Sequence, residues 1–291
     1  MSDIRYFCIR GFMKSGTNWL GNLLSSHESI CVTGEYHWQE FAEPFNQLLN
    51  GHVLFEKRRC SQFVRDEFVE LVKRVMRHNA DPTAVLIGDR TPATLDPVII
   101  KDAPFISIVR DGRDVLVSRA FHLFNNPTVT GLFQRAPAMQ KDLERFQDNP
   151  WYFQKNPEML LRHKIMVRQS ARLWRQHLES DRATVEEQGD LKVKVVRYED
   201  LHADTEGVRK SLFEFLEVNP KPAEKLQGIL KPGFEVERPN AFLRKGEVGD
   251  WKNYFTDETK QLFKEIAGEE LIRQGYEIVT GLVVAPEPNA R

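Results

Sequence analysis

Arg10-Gly11-Phe12-Met13-Lys14-Ser15-Gly16-Thr17-Asn18-Trp19 is the stretch whose reading decides the fold. It follows Tyr6-Phe7-Cys8-Ile9, a short β-prone apolar run that reads as a buried strand. It leads into Asn18–Ser26, where Trp19, Leu20, Leu23 and Leu24 share one face of a helix. Free backbone N–H groups and the helix dipole favour an anion at such a helix start. Lys14 adds a point charge, and Ser15 and Thr17 add hydroxyl donors. An ordinary strand–helix turn would not gather four anion-binding elements at one place. A nucleoside-triphosphate loop carries its Lys directly after the second Gly, whereas Lys14 here comes two positions before Gly16.

Outward from this loop, strands and helices alternate. Ile30-Cys31-Val32, Ala84–Ile87, Phe105–Val109 and Val193–Val196 read as strands. Gln62–His78, Asp111–Phe124, Met159–Ser180 and Thr205–Glu217 have helical spacing, and Gly131–Pro157 reads as an irregular, helix-containing insertion. The pattern predicts an α/β fold, a central parallel sheet flanked by helices. Ligands of such sheets bind at the carboxyl ends of the strands, where the loop above lies. No composition shift marks a boundary, so residues 1–291 are expected to form a single domain.

Composition narrows the function. The 41 Lys and Arg nearly balance the 42 Asp and Glu, for a net charge of −1, which disfavours a nucleic-acid polymer as partner. The three cysteines, Cys8, Cys31 and Cys60, include no CxxC pair, so neither a disulfide framework nor a structural zinc is expected. The histidines show no HExxH spacing and there is no EF-hand pattern, so no metal is expected. No run of about 18 apolar residues and no signal-peptide core occur, which reads as a cytoplasmic protein without a membrane partner.

Two further segments join the loop. In Arg110-Asp111-Gly112-Arg113-Asp114-Val115-Leu116-Val117-Ser118, Arg110 ends a strand and Ser118 lies two turns into the next helix. Late in the chain stands Arg244-Lys245-Gly246-Glu247-Val248-Gly249-Asp250-Trp251-Lys252. Together the three segments resemble the sulfotransferase family, in the family's order and over nearly the whole chain. The resemblance implies a P-loop-like sulfotransferase fold. It also implies an enzyme that moves the sulfuryl group of 3′-phosphoadenosine 5′-phosphosulfate (PAPS) to an acceptor hydroxyl, leaving 3′-phosphoadenosine 5′-phosphate (PAP). In the family, K-S-G-T-x-W holds the 5′-phosphosulfate, which implies that role for Lys14, Ser15, Gly16, Thr17, Asn18 and Trp19. It implies 3′-phosphate contacts for Arg110, Ser118, Arg244, Lys245 and Gly246, an Arg fork being suited to phosphate. Trp19 and Phe234 are the implied adenine-stacking aromatics, and Tyr198 a further donor-site residue. Arg113, Asp114, Asp250 and Trp251 read as structural.

The base needs a separate argument. Many cytosolic members use a His in a K-T-H-x-P segment, and here Gly88-Asp89-Arg90-Thr91-Pro92 has Arg90 at that place. Arg cannot act as a base near neutral pH. Gly34-Glu35-Tyr36-His37-Trp38 instead resembles the E-x-H-F-F segment of carbohydrate sulfotransferases, and Gly88–Pro92 their E-K-T-P segment. That branch implies Glu35 as base and Arg90 as a cation beside the sulfate, with Lys14 on the bridging oxygen. His37 is the second base candidate, and His122 reads as structural.

Two other readings compete. In a P-loop kinase or NTPase, Val85–Asp89 would be a Walker-B strand with Asp89 on magnesium; in an inactive scaffold the donor site would persist without turnover. The family's dimer segment, K-x-x-x-T-V-x-x-x-E, keeps Lys252 and Thr256 but has Asp257 and Gln261 at its Val and Glu, which leaves a homodimer open. Tyr36, Trp38, Phe41 and Phe45, together with the insertion around Phe124 to Phe153, are candidates to line an acceptor pocket, and a small intracellular hydroxyl compound is the expected acceptor.

Overall fold

Along β1 (Arg5–Gly11), alternate side chains enter two different cores. Phe7 and Ile9 pack with Leu20, Leu23 and Leu24 of α1 (Thr17–Leu24). Cys8 faces the opposite core, with Ile87, Val72 and Met76. Burying each of those fully enclosed leucines contributes about 2 kcal/mol. This alternation is what covers both faces of the sheet with helices. The structure is a computed structural model. It describes residues 4–51, 60–96, 100, 102–128, 137–219, 237–241 and 244–278, apart from the side chain of Glu43.

After α1 come β2 (Ile30–Thr33), α2 (Gln39–Gly51), α3 (Ser61–Asn79), β3 (Leu86–Arg90), β4 (Phe105–Val109) and α4 (Gly112–Asn125). Then follow α5 (Pro137–Asp148), α6 (Tyr152–Lys155), α7 (Lys164–Glu187), β5 (Val193–Arg197), α8 (Tyr198–Ala203), α9 (Thr205–Phe215) and α10 (Asp257–Arg273). The five strands are parallel, in the order β2-β3-β1-β4-β5. The expected α/β architecture is therefore the observed one.

The chain divides into two compact units. The first, Met1–Arg110 with His177–Val248, holds the sheet. The second, Asp111–Gln176 with Gly249–Arg291, is helical. Its core is aromatic: Phe124 and Phe153 have centroids 4.6 Å apart, and Phe121 meets Tyr254 edge-on at 5.6 Å. Here Asp114 accepts the backbone N–H groups of Gly249 and Trp251 at 2.7 and 2.8 Å. Arg113 lies 4.0 Å over the Trp251 ring and pairs with the helix-capping Asp111.

Two boundaries and one element stand out against the sequence reading. The helix expected from Met159 begins at Lys164, after a 3-10 turn at Pro157–Met159. Arg162 and His163 both bond the fully buried Asp142 at 2.7 Å, which holds them outside the helix. The third strand runs Leu86–Arg90 rather than Ala84–Ile87, because its register follows β1 from Arg5 to Ile9. Helix α2 has no counterpart in the sequence reading: Pro44 and the polar residues around it mask a helical period.

Candidate active site

Apart from Ser118, the candidate residues described below belong to the sheet-bearing unit. β1 delivers the chain into a turn closed by the Ser15 N–H on the Phe12 carbonyl at 3.1 Å. Lys14 occupies the left-handed region at φ 69 and Gly16, the N-cap of α1, has φ 107. A Cβ at position 16 would sit 2.7 Å from the Tyr198 ring, so both backbone angle and space demand glycine. Three non-glycine residues among those described have positive φ, and two of them, Lys14 and His37, are candidate catalytic residues. Such strain costs about 1–3 kcal/mol and collects at functional sites.

Tyr198 gathers the donor segments. Its ring lies under the Arg110 guanidinium, 4.0 Å to the centroid, and its hydroxyl donates to the Gly246 carbonyl at 2.8 Å. Arg110 also donates to the carbonyls of Lys14, at 3.3 Å, and Glu247, at 2.9 Å. Arg244 pairs with Glu237, and Lys245 with Glu247 at 2.6 Å. Trp19 is buried, edge-on to Tyr198 at 5.5 Å.

Two features of the loop suit an anion. Burial and the neighbouring Arg110 and Arg244 cations push the Lys14 ammonium down to about 8, against a smaller opposing pull from Glu35. Three cations held this close disfavour one another until an anion joins them. Ser15 is 1% exposed, and its Oγ has no hydrogen-bond partner. A buried orphan hydroxyl costs about 1–3 kcal/mol, which an anion's oxygen would relieve. The residues present thus fit a phosphosulfate.

Register builds the other half. Thr33 of β2 pairs with Asp89 of β3, so the chain leaving each strand brings Glu35 beside Arg90. Arg90 reaches Glu35 at 3.8 Å and bonds the Asn18 side chain, and its stem crosses Gly21, where a Cβ would lie 3.0 Å away. His37 lies between two carboxylates: Nε2 is 3.9 Å from Glu35 and Nδ1 3.3 Å from Glu40. Asn18, expected on the donor, thus anchors Arg90. Tyr36 stacks on Trp38 at 5.3 Å, while Phe41 is exposed.

The remaining expectations divide. Ser118 belongs to the helical unit, half-buried on α4. Phe234 lies outside the described residues. The Walker-B reading of Asp89 is corrected: the residue is 2% exposed, with Oδ2 held by Arg10 at 2.7 Å and Oδ1 by the Thr91 hydroxyl at 2.9 Å. Buried and neutralised by the Arg10 cation, this carboxylate is a core ion pair rather than one presented to magnesium. Among the described residues no group of His, Cys, Asp or Glu is arranged to hold a metal ion, and no helix is long and apolar enough to cross a membrane. Sequence reasoning missed Glu237, Glu40, His177 and Asp181. Only the last two left a signal, polar residues four apart on the apolar stripe that continues Trp174 and Leu178.

Comparison with known proteins gives the family. The model of the sulfotransferase domain matches residues 5–275, and the chain belongs to that family of PAPS-dependent enzymes. It is 26% identical over 283 residues to the 3-alpha-hydroxysteroid sulfotransferase of Cavia porcellus, covering 89% of this chain and 81% of that one. It is 26% identical over 229 residues to the amine sulfotransferase of Oryctolagus cuniculus, covering 71% and 68%. A mouse sulfotransferase solved with PAP shares the fold, with a TM-score of 0.53 and 19% identity over 95% of this chain and 86% of its own. A sulfotransferase from Alicyclobacillus acidocaldarius has a TM-score of 0.50 and 15% identity over 95% and 96%.

The Lys14 environment predicts a pH dependence. The ammonium binds an anion, so PAP affinity should be flat up to about pH 8 and weaken above it as the cation is lost. Titration calorimetry from pH 6.5 to 9.5 checks this, and Lys14→Met should remove the inflection.

Proposed function

We propose that the chain transfers the sulfuryl group of PAPS in line to the hydroxyl of a small-molecule acceptor, with Glu35 as base. The observation that carries this reading is a convergence of charge from distant segments: Arg110 bonds the Lys14 carbonyl at 3.3 Å, and Arg90 faces Glu35 at 3.8 Å. PAPS supplies a sulfuryl group already activated by its phosphate leaving group. Lys14 holds the bridging oxygen, where negative charge develops. Arg90, fixed by Asn18 and facing Glu35, neutralises the sulfate-side oxygens. Glu35 accepts the acceptor's proton on a carboxylate oxygen, and His37, 3.9 Å away, is the second candidate. Ser15, Gly16 and Thr17 direct their donors at the phosphosulfate. Arg110, Ser118 and the Arg244-Lys245-Gly246 loop bind the 3′-phosphate, and Trp19 and Phe234 the adenine. Arg244 and Lys245 then exchange Glu237 and Glu247 for that phosphate. Lys and Arg cations stand where a kinase has magnesium. The setting is cytoplasmic, with a small hydroxyl compound as acceptor.

The test is ligand-specific stabilisation followed by an acceptor panel. PAP at about 100 times its Kd should add about 2.7 kcal/mol and raise Tm by several degrees. ATP with magnesium should not. The reverse pattern would restore the kinase reading. Labelled PAPS with a panel of phenols, alcohols and amines then identifies the acceptor.

A further inference from the structure

Beneath the site lies a polar network that the reaction leaves unused. Arg10, 1% exposed, pairs with Asp89 and also donates to the Ile9 and Asp89 carbonyls. Beside it, His177 and Asp181 stand one turn apart on α7 and are equally buried. Each reaches a different catalytic segment. Asp181 Oδ1 accepts the Leu95 N–H at 2.8 Å, and Ser107 of β4 also bonds this carboxyl. Leu95 follows Arg90 by five residues, and Ala93 between them accepts the Gly11 N–H at 3.2 Å. The His177 ring meets Phe12 edge-on at 5.5 Å, two residues before Lys14.

The pair is poorly satisfied as plain core. His177 Nε2 and Asp181 Oδ2 lie 3.5 Å apart, and neither makes a hydrogen bond. Burial pushes the Asp181 carboxyl up to about 6, with Leu95, Arg10 and Ser107 opposing, and the His177 imidazole down to about 4. Apolar residues of similar volume would be at least as stable here. The retained polar atoms have one evident task, holding two loops at a fixed separation.

We propose that Asp181 and His177 are positioning residues: one turn of α7 sets the Arg90 turn through the Leu95 N–H and the Lys14 loop through Phe12. This rests on the assignment of Lys14 and Arg90 as catalytic cations. Losing the Leu95 anchor displaces Arg90, and a misplacement near 1 Å costs about 100-fold in rate.

The full chain tests this through kcat per PAP-titrated site, PAP Kd and Tm. Asp181→Ala should lower kcat per site by about 10-fold or more while PAP Kd stays within about threefold. Asp181→Asn keeps an oxygen for Leu95 and offers an N–H to His177, so it should restore most of kcat and raise Tm. His177→Leu fills the volume without the orphan nitrogen, so Tm holds while PAP Kd weakens by about threefold or more. That variant carries the test alone if Asp181→Ala fails to fold. Wild-type kcat per site and Kd in the folded fraction of these variants would overturn the positioning role. Lys14→Met, measured in parallel, separates the two ideas. If it is inactive while the α7 variants behave as wild type, only the positioning role falls. If it turns over normally, the catalytic assignment falls and the positioning role with it.

Discussion

Glu35→Gln loses about 100- to 10,000-fold in kcat, the range general-base catalysis supplies, and still binds PAP. The amide keeps the side chain's size and its acceptor oxygen toward Arg90 but cannot hold a proton. Donor affinity survives because the donor cations lie on other segments: Lys14 after β1, Arg110 after β4 and Arg244 in the late loop. A second readout follows from the electrostatics. Glu35 favours the Lys14 cation, so its removal moves the alkaline inflection of PAP binding to lower pH. Single-turnover transfer from labelled PAPS, with PAP calorimetry beside it, checks both. Near-normal turnover would hand the base role to His37, which also faces Glu40 at 3.3 Å.

Lys14→Met is the second large effect, about 100- to 1,000-fold in kcat, as for other groups placed where charge develops in a transition state. Here the structure argues for more than a lost contact. The native ammonium is held at a cost, largely desolvated beside Arg110 and Arg244. Methionine relieves that cost, so the variant should melt at or above the wild-type temperature while losing turnover. In the folded chain Lys14 lies at about 8, below a free lysine. The unfolded chain binds the extra proton between about pH 8 and 10.5, so wild-type stability rises with pH across that window. Lys14→Met should abolish that rise, as differential scanning fluorimetry across pH would show. A Tm drop matching the activity loss would instead make Lys14 structural.

Much of this was legible in the chain because it is local. The strand, loop and helix around Lys14 depend on neighbouring residues, and the alternation of Phe7, Cys8 and Ile9 foretells a sheet covered on both faces. Asp114 reads as structural from its place in the segment, but its partners Gly249 and Trp251 lie more than 130 positions away. Helix boundaries were less legible where a distant partner decides them. His163 stays out of α7 because Asp142, 21 positions away, claims its ring. The Walker-B resemblance of Asp89 failed for the same reason: its neighbours fit a metal-binding strand, but Arg10 from another strand occupies the carboxylate.

The sequence by itself determined the fold class, the anion-binding loop and the types of charged residue at the site, since each is written in contiguous residues and their spacing. Only the tertiary structure decided who meets whom. Parallel register placed Glu35 against Arg90, and Tyr198 joined Arg110, Gly16 and Gly246 from four separate segments. The physical reason is range: backbone preference acts over a few residues, whereas Coulomb energy and hydrogen bonding depend on distances that only packing sets.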